Sequence, residues 1–451
     1  MSSEQCITEG YKKTEVGVIP EDWVDFSFGD ICTVNQGLQI PIEQRKSHPG
    51  QRSKIYITIQ YLSSMERPEY IDDYSVSVCC NRSDILMTRT GNTGIVVHDV
   101  DGVFHNNFFK INFDRKKFNK LFLVYYLRSF NCQKSILDKA GTSTIPDLNH
   151  GDFYSVRIVL PQDIKEQTAI ANALSDVDAL LSELEKLIAK KQDIKTAAMQ
   201  QLLTGKTRLS QFATYTDGDK QGQVKGSKTS ELGEIPEDWD VYVINDVIES
   251  LSSGGTPFRG NKSFYKGTNL WITSGELKYG RITDTIEKIN NEAIKASHLK
   301  VHPEGTFLMA ITGLEAAGTR GSCGIVGKPA TTNQSCMAIY PNKQLTSEFL
   351  FHWYVYNGNE LALKYCQGTK QLSYTAGLLK TLPILLPKNP EEQAAIATIL
   401  SDMDEEIQAL QQRLSKTRQI KQGMMQELLT GKTRLPFDKV DADSKGEINA
   451  N

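Results

Sequence analysis

Apolar positions in two stretches of the chain recur at alternating intervals of three and four. Leu174, Val177, Leu181, Leu184 and Ile188 form one series, and Leu400, Met403, Ile407, Leu410 and Leu414 form a second with the same spacing. That alternation has a period near 3.5, which draws one narrow stripe down a helix and suits the seam of a coiled coil. The stripe runs on less purely through Ala198 and Leu202, and through Met424 and Leu428. Each series follows a proline (Pro161, Pro390) and stops at a glycine (Gly205, Gly431) that succeeds Leu-Leu-Thr. These are helix start and stop signals, and they predict two rods of roughly 40 residues and about 60 Å. A single stripe of this kind packs onto its own globule. Two such stripes, each too long for that, predict that the helices pair with each other. A whole globular region lies between them in the chain, which favours an antiparallel pairing.

The two helices belong to a larger repeat. Residues 160–209 and 386–435 align without a gap at an offset of 226, with 25 of 50 positions identical. A shorter marker precedes each half, Val18-Ile19-Pro20-Glu21-Asp22-Trp23 and Glu234-Ile235-Pro236-Glu237-Asp238-Trp239, at an offset of 216. Repetition of this kind decides the architecture before any local reading does. The regions between marker and helix, 24–159 and 240–385, share little. Short β-branched or aromatic runs punctuate them (Ile55–Ile59, Val76–Val78, Leu270–Thr273), separated by Gly, Asn and Pro. The expected fold class is α+β: two similar mixed α/β domains joined by two long helices that form an antiparallel coiled coil, with a pseudo-two-fold internal repeat. The expected boundaries are 15–160 for the first domain, 161–209 for the central helix, 210–230 for a polar linker, 231–387 for the second domain, 388–435 for the last helix and 436–451 for a disordered tail.

Composition narrows the class. Of 451 residues 39% are hydrophobic and 23% charged, enough to build cores, so the chain as a whole is not disordered. No run of 18 apolar residues suggests a membrane span, and the first residues lack a secretory stretch, so a cytoplasmic protein is expected. The eight cysteines are scattered without a C-x-x-C pair and read as reduced thiols; His298 and His302 lack the glutamate of a zinc helix. No metal site is expected. A net charge of −3 argues against a generally basic surface but leaves local basic faces open.

Catalytic motifs are missing. Gly205-Lys206-Thr207 and Gly431-Lys432-Thr433 resemble the end of a P-loop, but the required earlier glycine is Gln200 or Gln426, and both tripeptides end a helix instead of opening one. Asn389-Pro390 is followed by two glutamates, not by the Pro-Tyr of an adenine methyltransferase loop, and no G-x-S-x-G elbow occurs. No catalytic residue is assigned.

The turns of the variable regions carry the recognisable chemistry. In the first they contain Arg89, Asn92, Thr93, Asn106, Asn107, Thr142 and Ser143; in the second, Thr256, Arg259, Lys262, Thr312, Arg320, Asn333, Gln334, Thr369 and Lys370. Hydroxyls and backbone amides suit phosphate oxygens; Arg suits guanine and Asn or Gln adenine. Ordinary turn chemistry accounts for any one of these loops. Their combination predicts duplex DNA binding, with two reading heads held apart by a rod that bridges at most roughly 17 base pairs.

The paired I-P-E-D-W markers, the loop Ser253-Gly254-Gly255-Thr256-Pro257-Phe258-Arg259, the paired E-Q-x-A-I-A-x-x-L-S-D-x-D helix starts (166–178, 392–404) and the paired L-L-T-G-K-T-R-L ends (202–209, 428–435) together resemble the specificity subunit of type I restriction-modification systems. The resemblance spans nearly the whole chain. It implies target-recognition domains that each contact half of a split, asymmetric DNA sequence, and helices that set the gap and dock two methyltransferase (modification) subunits. Those subunits carry S-adenosylmethionine and methylate adenine; a restriction subunit using ATP and Mg can join them, and this chain itself holds no cofactor. The first domain departs from the pattern, with Val34–Pro41 in place of the S-G-G-T-P loop. The competing expectation is a coiled-coil scaffold that gathers partner proteins and binds no DNA.

Overall fold

The structure, a computed structural model, describes residues 9–141, 146–315, 318–366 and 372–436. Two long helices dominate the element order, Ile164–Leu202 (the central helix) and Pro390–Leu428 (the C-terminal helix), each of 39 residues. The chain divides into two compact units. The first takes the described residues up to Glu185 and those from Gln412 onward; the second is Lys186–Gln411.

In the first unit a hairpin, Tyr11–Thr14 with Gly17–Pro20, carries the marker into the strand Trp23–Ser27, which pairs antiparallel with Arg157–Pro161. The prolines at 20 and 161 close strand edges, where a missing N–H costs nothing. An antiparallel sheet follows the order Cys32–Gln36, Phe108–Phe113, Ile85–Thr88, Val96–His98. A second sheet orders Tyr70–Ile71, Lys54–Ile57, Gly102–Phe104 and Cys79–Cys80, with the middle pair parallel. Ile85–Thr88 is buried throughout, because the sheet is covered on both faces. The helix Lys120–Arg128, started by the Asn119 side chain accepting the Phe122 N–H, packs six consecutive buried residues into the core.

The second unit repeats this plan. The hairpin Ser227–Ser230 with Gly233–Pro236 leads into Trp239–Val243, paired antiparallel with Pro383–Pro387. A five-stranded sheet orders Ile248–Ser253, Cys336–Pro341, Phe307–Ala310, Cys323–Val326 and Gly280–Ile282; a three-stranded one orders Lys288–Ile289, Asn269–Ile272 and Ala330–Thr332. The helix Ser347–Tyr365 takes the covering role.

Each unit combines the start of one long helix with the end of the other. The first core contains Ile170, Ala171 and Leu174 from the central helix and Leu428 and Leu429 from the far end of the chain. The second contains Ile396 and Leu400 together with Met199, Leu202 and Leu203. Within the first unit Lys421 meets Asp178 at 2.5 Å and Arg418 meets Glu185 at 2.6 Å. Within the second Lys195 meets Asp404 at 2.5 Å and Lys191 meets Glu406 at 2.7 Å. Residue numbers rise on one helix as they fall on the other, so the pairing is antiparallel in each unit. Leu174, Leu184, Leu400 and Ile407 of the seam are buried, and Val177, Leu181, Ile188, Met403, Leu410 and Leu414 are half-buried.

Several expectations change. Val76–Val78 is a 3-10 turn opened by Ser75, not a strand, and Val76 is exposed. The stretch 210–230 is structured within the second unit: Thr214 bridges Val224, the Lys225 amine reaches Asp238 at 2.8 Å, and the hairpin strand already begins at Ser227. The first hairpin likewise begins at Tyr11, ahead of residue 15. Pro161 ends a strand, and the central helix starts three residues later. Of the tail, 437–451 lies outside the described residues.

Candidate nucleic-acid interface

Each unit is locked by the duplicated motifs. Trp23 is fully buried and its indole N–H donates to Glu166, which is itself 2% exposed. A buried carboxylate is costly unless paired and hydrogen-bonded. Arg434 supplies the pair, donating from Nε at 2.8 Å and Nη2 at 2.6 Å, while its Nη1 reaches Asp22 at 2.8 Å. Donating hydrogen bonds to these two carboxylates, Glu166 first, holds the Arg434 guanidinium above its ordinary basicity. The second unit builds the same lock: Trp239 donates to Glu392, and Arg208 grips Glu392 at 2.7 and 2.9 Å and Asp238 at 2.7 Å. Burial would raise the Asp238 carboxyl, but Arg208 and Lys225 hold it below the usual range. Marker, helix start and helix end are thus three parts of one contact, and the arginine always comes from the other repeat.

The G-K-T tripeptides serve that lock. Gly431 has φ +72° and Gly205 φ +70°, and a Cβ on either would stand 2.5 Å from the marker proline, Pro20 or Pro236. Only glycine allows this left-handed turn to lie so close.

On this frame the polar turns of each variable region gather at one rim. In the second unit Gly254 passes so near the Thr332 carbonyl that an added Cβ would be 1.9 Å away. The Gly255 N–H donates to that carbonyl at 3.0 Å, and Trp271 Nε1 donates to the Gly255 carbonyl at 3.0 Å. This brings Thr256 to Gln334, with 2.5 Å between Oγ1 and Oε1. Asn333 donates its N–H to Ile272 and turns its side-chain oxygen to the Ser335 N–H. Ile311 donates to Ser335, and Thr312 bridges Ser373, which joins a third and a fourth turn to the rim. Thr256, Arg259, Lys262 and Gln334 are exposed. Arg259 lies over Tyr265 (4.4 Å) and Trp271 (5.1 Å), and both its terminal nitrogens meet Glu287, at 2.5 and 2.8 Å. The guanidinium is thereby fixed in place, with its Nε–H outside the Glu287 pair. The side chain of Arg320, expected to contact DNA, donates in the folded chain to the backbone carbonyls of Leu314 and Glu315 and braces their loop. Thr369 and Lys370 lie outside the described residues.

The first unit reaches a matching rim by other residues. Gly37 approaches the Phe104 carbonyl as Gly254 approaches Thr332, with an added Cβ 2.1 Å away, and the Leu38 N–H donates to that carbonyl at 3.0 Å. The stretch without an S-G-G-T-P motif therefore performs the same turn. Asn106 Nδ2 donates to Gln39 at 3.3 Å, where Thr256 meets Gln334 in the second unit. Asn92 is exposed. Arg89 is held by Asp147 at 2.7 Å and by the Leu148 carbonyl, Thr93 donates to the carbonyls of Arg89 and Pro146, and the Asn107 carbonyl accepts the Arg89 N–H. Arg89 and Thr93 thus tie the turns together instead of projecting outward. Thr142 and Ser143 lie outside the described residues.

Sequence reasoning passed over Glu166, Glu392, Arg208 and Arg434, although all four recur inside the repeat. It also passed over Arg45, which sits over Tyr56 at 5.0 Å and meets Glu69 at 3.0 Å, the counterpart of Arg259 with Trp271 and Glu287. The signal was an arginine shortly after Pro41, as Arg259 follows Pro257. Among the described residues no helix is long and apolar enough to cross a membrane, and no group of three His, Cys, Asp or Glu side chains could hold a metal ion.

A duplicated α+β unit with an antiparallel helix pair and a divergent polar rim is the build of a modular recognition protein. Comparison with known proteins specifies which: the family described as "Type I restriction modification DNA specificity domain" matches residues 20–196 and 236–418, and the chain belongs to it. It is a type I restriction-modification specificity subunit with two target-recognition domains, a non-catalytic subunit of a family whose role is DNA sequence specificity. The type I restriction enzyme MjaVIII specificity subunit of Methanocaldococcus jannaschii is 26% identical over 436 residues, covering 95% of this chain and 96% of that one. The putative MjaX specificity subunit of the same organism is 27% identical over 448 residues, covering 95% and 97%. Among solved structures, the type I S subunit from M. genitalium shares the fold with a TM-score of 0.58 at 14% identity over 93% of this chain and 97% of that one. A chain from a type I system solved for its complex assembly and conformational transition gives 0.50 at 16% identity, covering 92% and 99%.

Proposed function

We propose that this chain reads a split, asymmetric duplex sequence in the cytoplasm, one globule per half, and that its paired helices set the gap and dock two methyltransferase subunits. The partners supply the chemistry: S-adenosylmethionine and adenine methylation in the modification subunits, ATP and Mg in a restriction subunit that joins them. The observation that carries this reading is the contrast between frame and rim. The lock of Trp, Glu and Arg is the same in both units to within a few tenths of an ångström, whereas the rims differ residue by residue. A common frame with unlike rims is what a protein needs to present two different base-reading surfaces from one scaffold. Exposed Thr256, Gln334, Arg259 and Lys262, with Gln39, Asn92 and Asn106 in the first unit, are the groups proposed to face the DNA. Methylation mapping of DNA modified by the assembled complex tests the reading. It should return one two-part motif with modified adenines; a single uninterrupted motif would overturn the split reading, and no motif at all would favour a protein-gathering scaffold.

A further inference from the structure

We propose that Phe258 and Ile42 are apolar wedges, one in each globule, that enter the base stack of the DNA beside the polar rim. The inference rests on the DNA-reading function above. Phe258 is 73% exposed, and Ile42 is 73% exposed. Each follows a proline and stands at the tip of the stretch that begins with the close-approach glycine, Gly254 or Gly37.

The tips are held firmly although their side chains are bare. In the second unit the Pro257 carbonyl accepts the Tyr265 hydroxyl at 2.6 Å, and the Phe258 carbonyl accepts the Asn261 N–H at 3.1 Å. Gly260 leaves room for the ring, since a Cβ there would lie 2.5 Å from it. In the first unit Arg45 donates twice to the Ile40 carbonyl, at 3.0 and 2.8 Å, and Ile42 opens a 3-10 turn. Beside each tip lies a guanidinium on an aromatic ring with a glutamate partner: Arg259 on Tyr265 and Trp271 with Glu287, Arg45 on Tyr56 with Glu69. Two regions of unlike sequence thus arrive at one grouping of rigid apolar tip, anchored cation and polar rim.

A tip on a loose loop would fold its apolar side chain back onto the protein; a tip whose backbone is braced holds that side chain in water until a partner covers it. Next to cations and amide groups that suit a duplex, the apolar partner available is the face of a base. Wedging Phe or Ile between base pairs unstacks one step and kinks the helix, most easily at pyrimidine–purine steps, so the tip reads deformability where the rim reads base edges.

The test uses the full chain assembled with its methyltransferase subunits, on duplexes that this complex selects from a random library. 2-Aminopurine replaces each purine in turn, except the methylated adenine, so that base extrusion by the methyltransferase does not report. Binding should raise the fluorescence at one step in each half-site. Phe258→Ala should abolish the rise in the second half only and weaken binding roughly tenfold, the scale of one lost stacking contact. Ile42→Ala should do the same in the first half, and Phe258→Leu should keep the signal. A rise that survives both alanine variants, or affinity that neither changes, overturns the wedge while leaving DNA reading intact. A complex that selects no duplex removes both.

Discussion

Arg434 grips Glu166 through two nitrogens, at 2.8 and 2.6 Å, although 268 residues separate them in the chain. The contact sits in the first unit's frame, and its arginine is supplied by the second repeat. Arg208 does the same for Glu392 in the other direction. Neither unit is complete without a segment from the far half of the sequence, so the two repeats fold as an exchange.

Removing either arginine should strand a buried carboxylate. Arg208→Ala should destabilise the second unit by about 3–5 kcal/mol, the usual cost of breaking a buried pair from one side. Arg434→Ala should cost the first unit less, because Arg434 is 30% exposed where Arg208 is 12%. Lysine at either position should rescue little, since it cannot make the two-pronged contact. Hydrogen exchange of the Trp23 and Trp239 strands reads each unit separately; equal protection in wild type and both variants would contradict the assignment.

The G-K-T tripeptides make opposite predictions for their glycine and lysine. Gly205→Ala should cost about 2 kcal/mol or more, from left-handed backbone and the clash with Pro236. Lys206 is exposed, and Lys206→Ala should stay within about 0.5 kcal/mol. Thermal melts of the two variants decide it. A nucleotide-binding loop would instead lose complex activity with the lysine.

Acid should loosen the second unit. His352 is buried, shares a hydrogen bond with Ser401 at 2.9 Å, and burial, reinforced by the Lys195 charge, pushes its pKa down to about 3; burial takes His302 down to about 4. Unfolded, both titrate near 6.5. Below that pH the unfolded chain binds protons that the folded unit refuses. The stabilisation is therefore present above about pH 6.5 and is lost progressively as pH falls toward 4 for His302 and toward 3 for His352. Urea midpoints at pH 7 and pH 5 should show the drop, and His352→Gln with His302→Gln should flatten it.

The two exposed-looking arginines of the second rim should separate by function. Arg259→Ala should relax base preference in the second half-site alone, by about 1–3 kcal/mol if it contacts a base edge. Arg320, tied to the carbonyls of Leu314 and Glu315, should when changed to Ala lower the melting temperature and leave the preferred bases alone. Lys262→Ala should weaken binding to all sequences and reduce the salt slope by about 1. Selection of duplexes by each variant complex distinguishes these outcomes.

The sequence by itself determined the helices, the repeat and the class of protein. Leu174 to Ile188 and Leu400 to Leu414 announce their seam because a helix turns with a fixed period, and a 226-residue offset is visible without any geometry. Strand runs read less well: Val76–Val78 has the residues of a strand but forms a 3-10 turn, because the Ser75 hydroxyl accepts the Ser77 N–H and leaves Val76 in solvent. The rim was legible as a set of loops and not as a set of roles. Arg89, Arg259 and Arg320 are alike on paper; only the tertiary structure shows Arg89 tied to Asp147, Arg320 to two carbonyls and Arg259 standing on Trp271 at the surface. The exchange of Arg208 and Arg434 was equally out of reach. Periodicity and repetition are properties of neighbouring residues, whereas the partner of a buried charge is decided by which distant segment the folded chain brings within 3 Å of it.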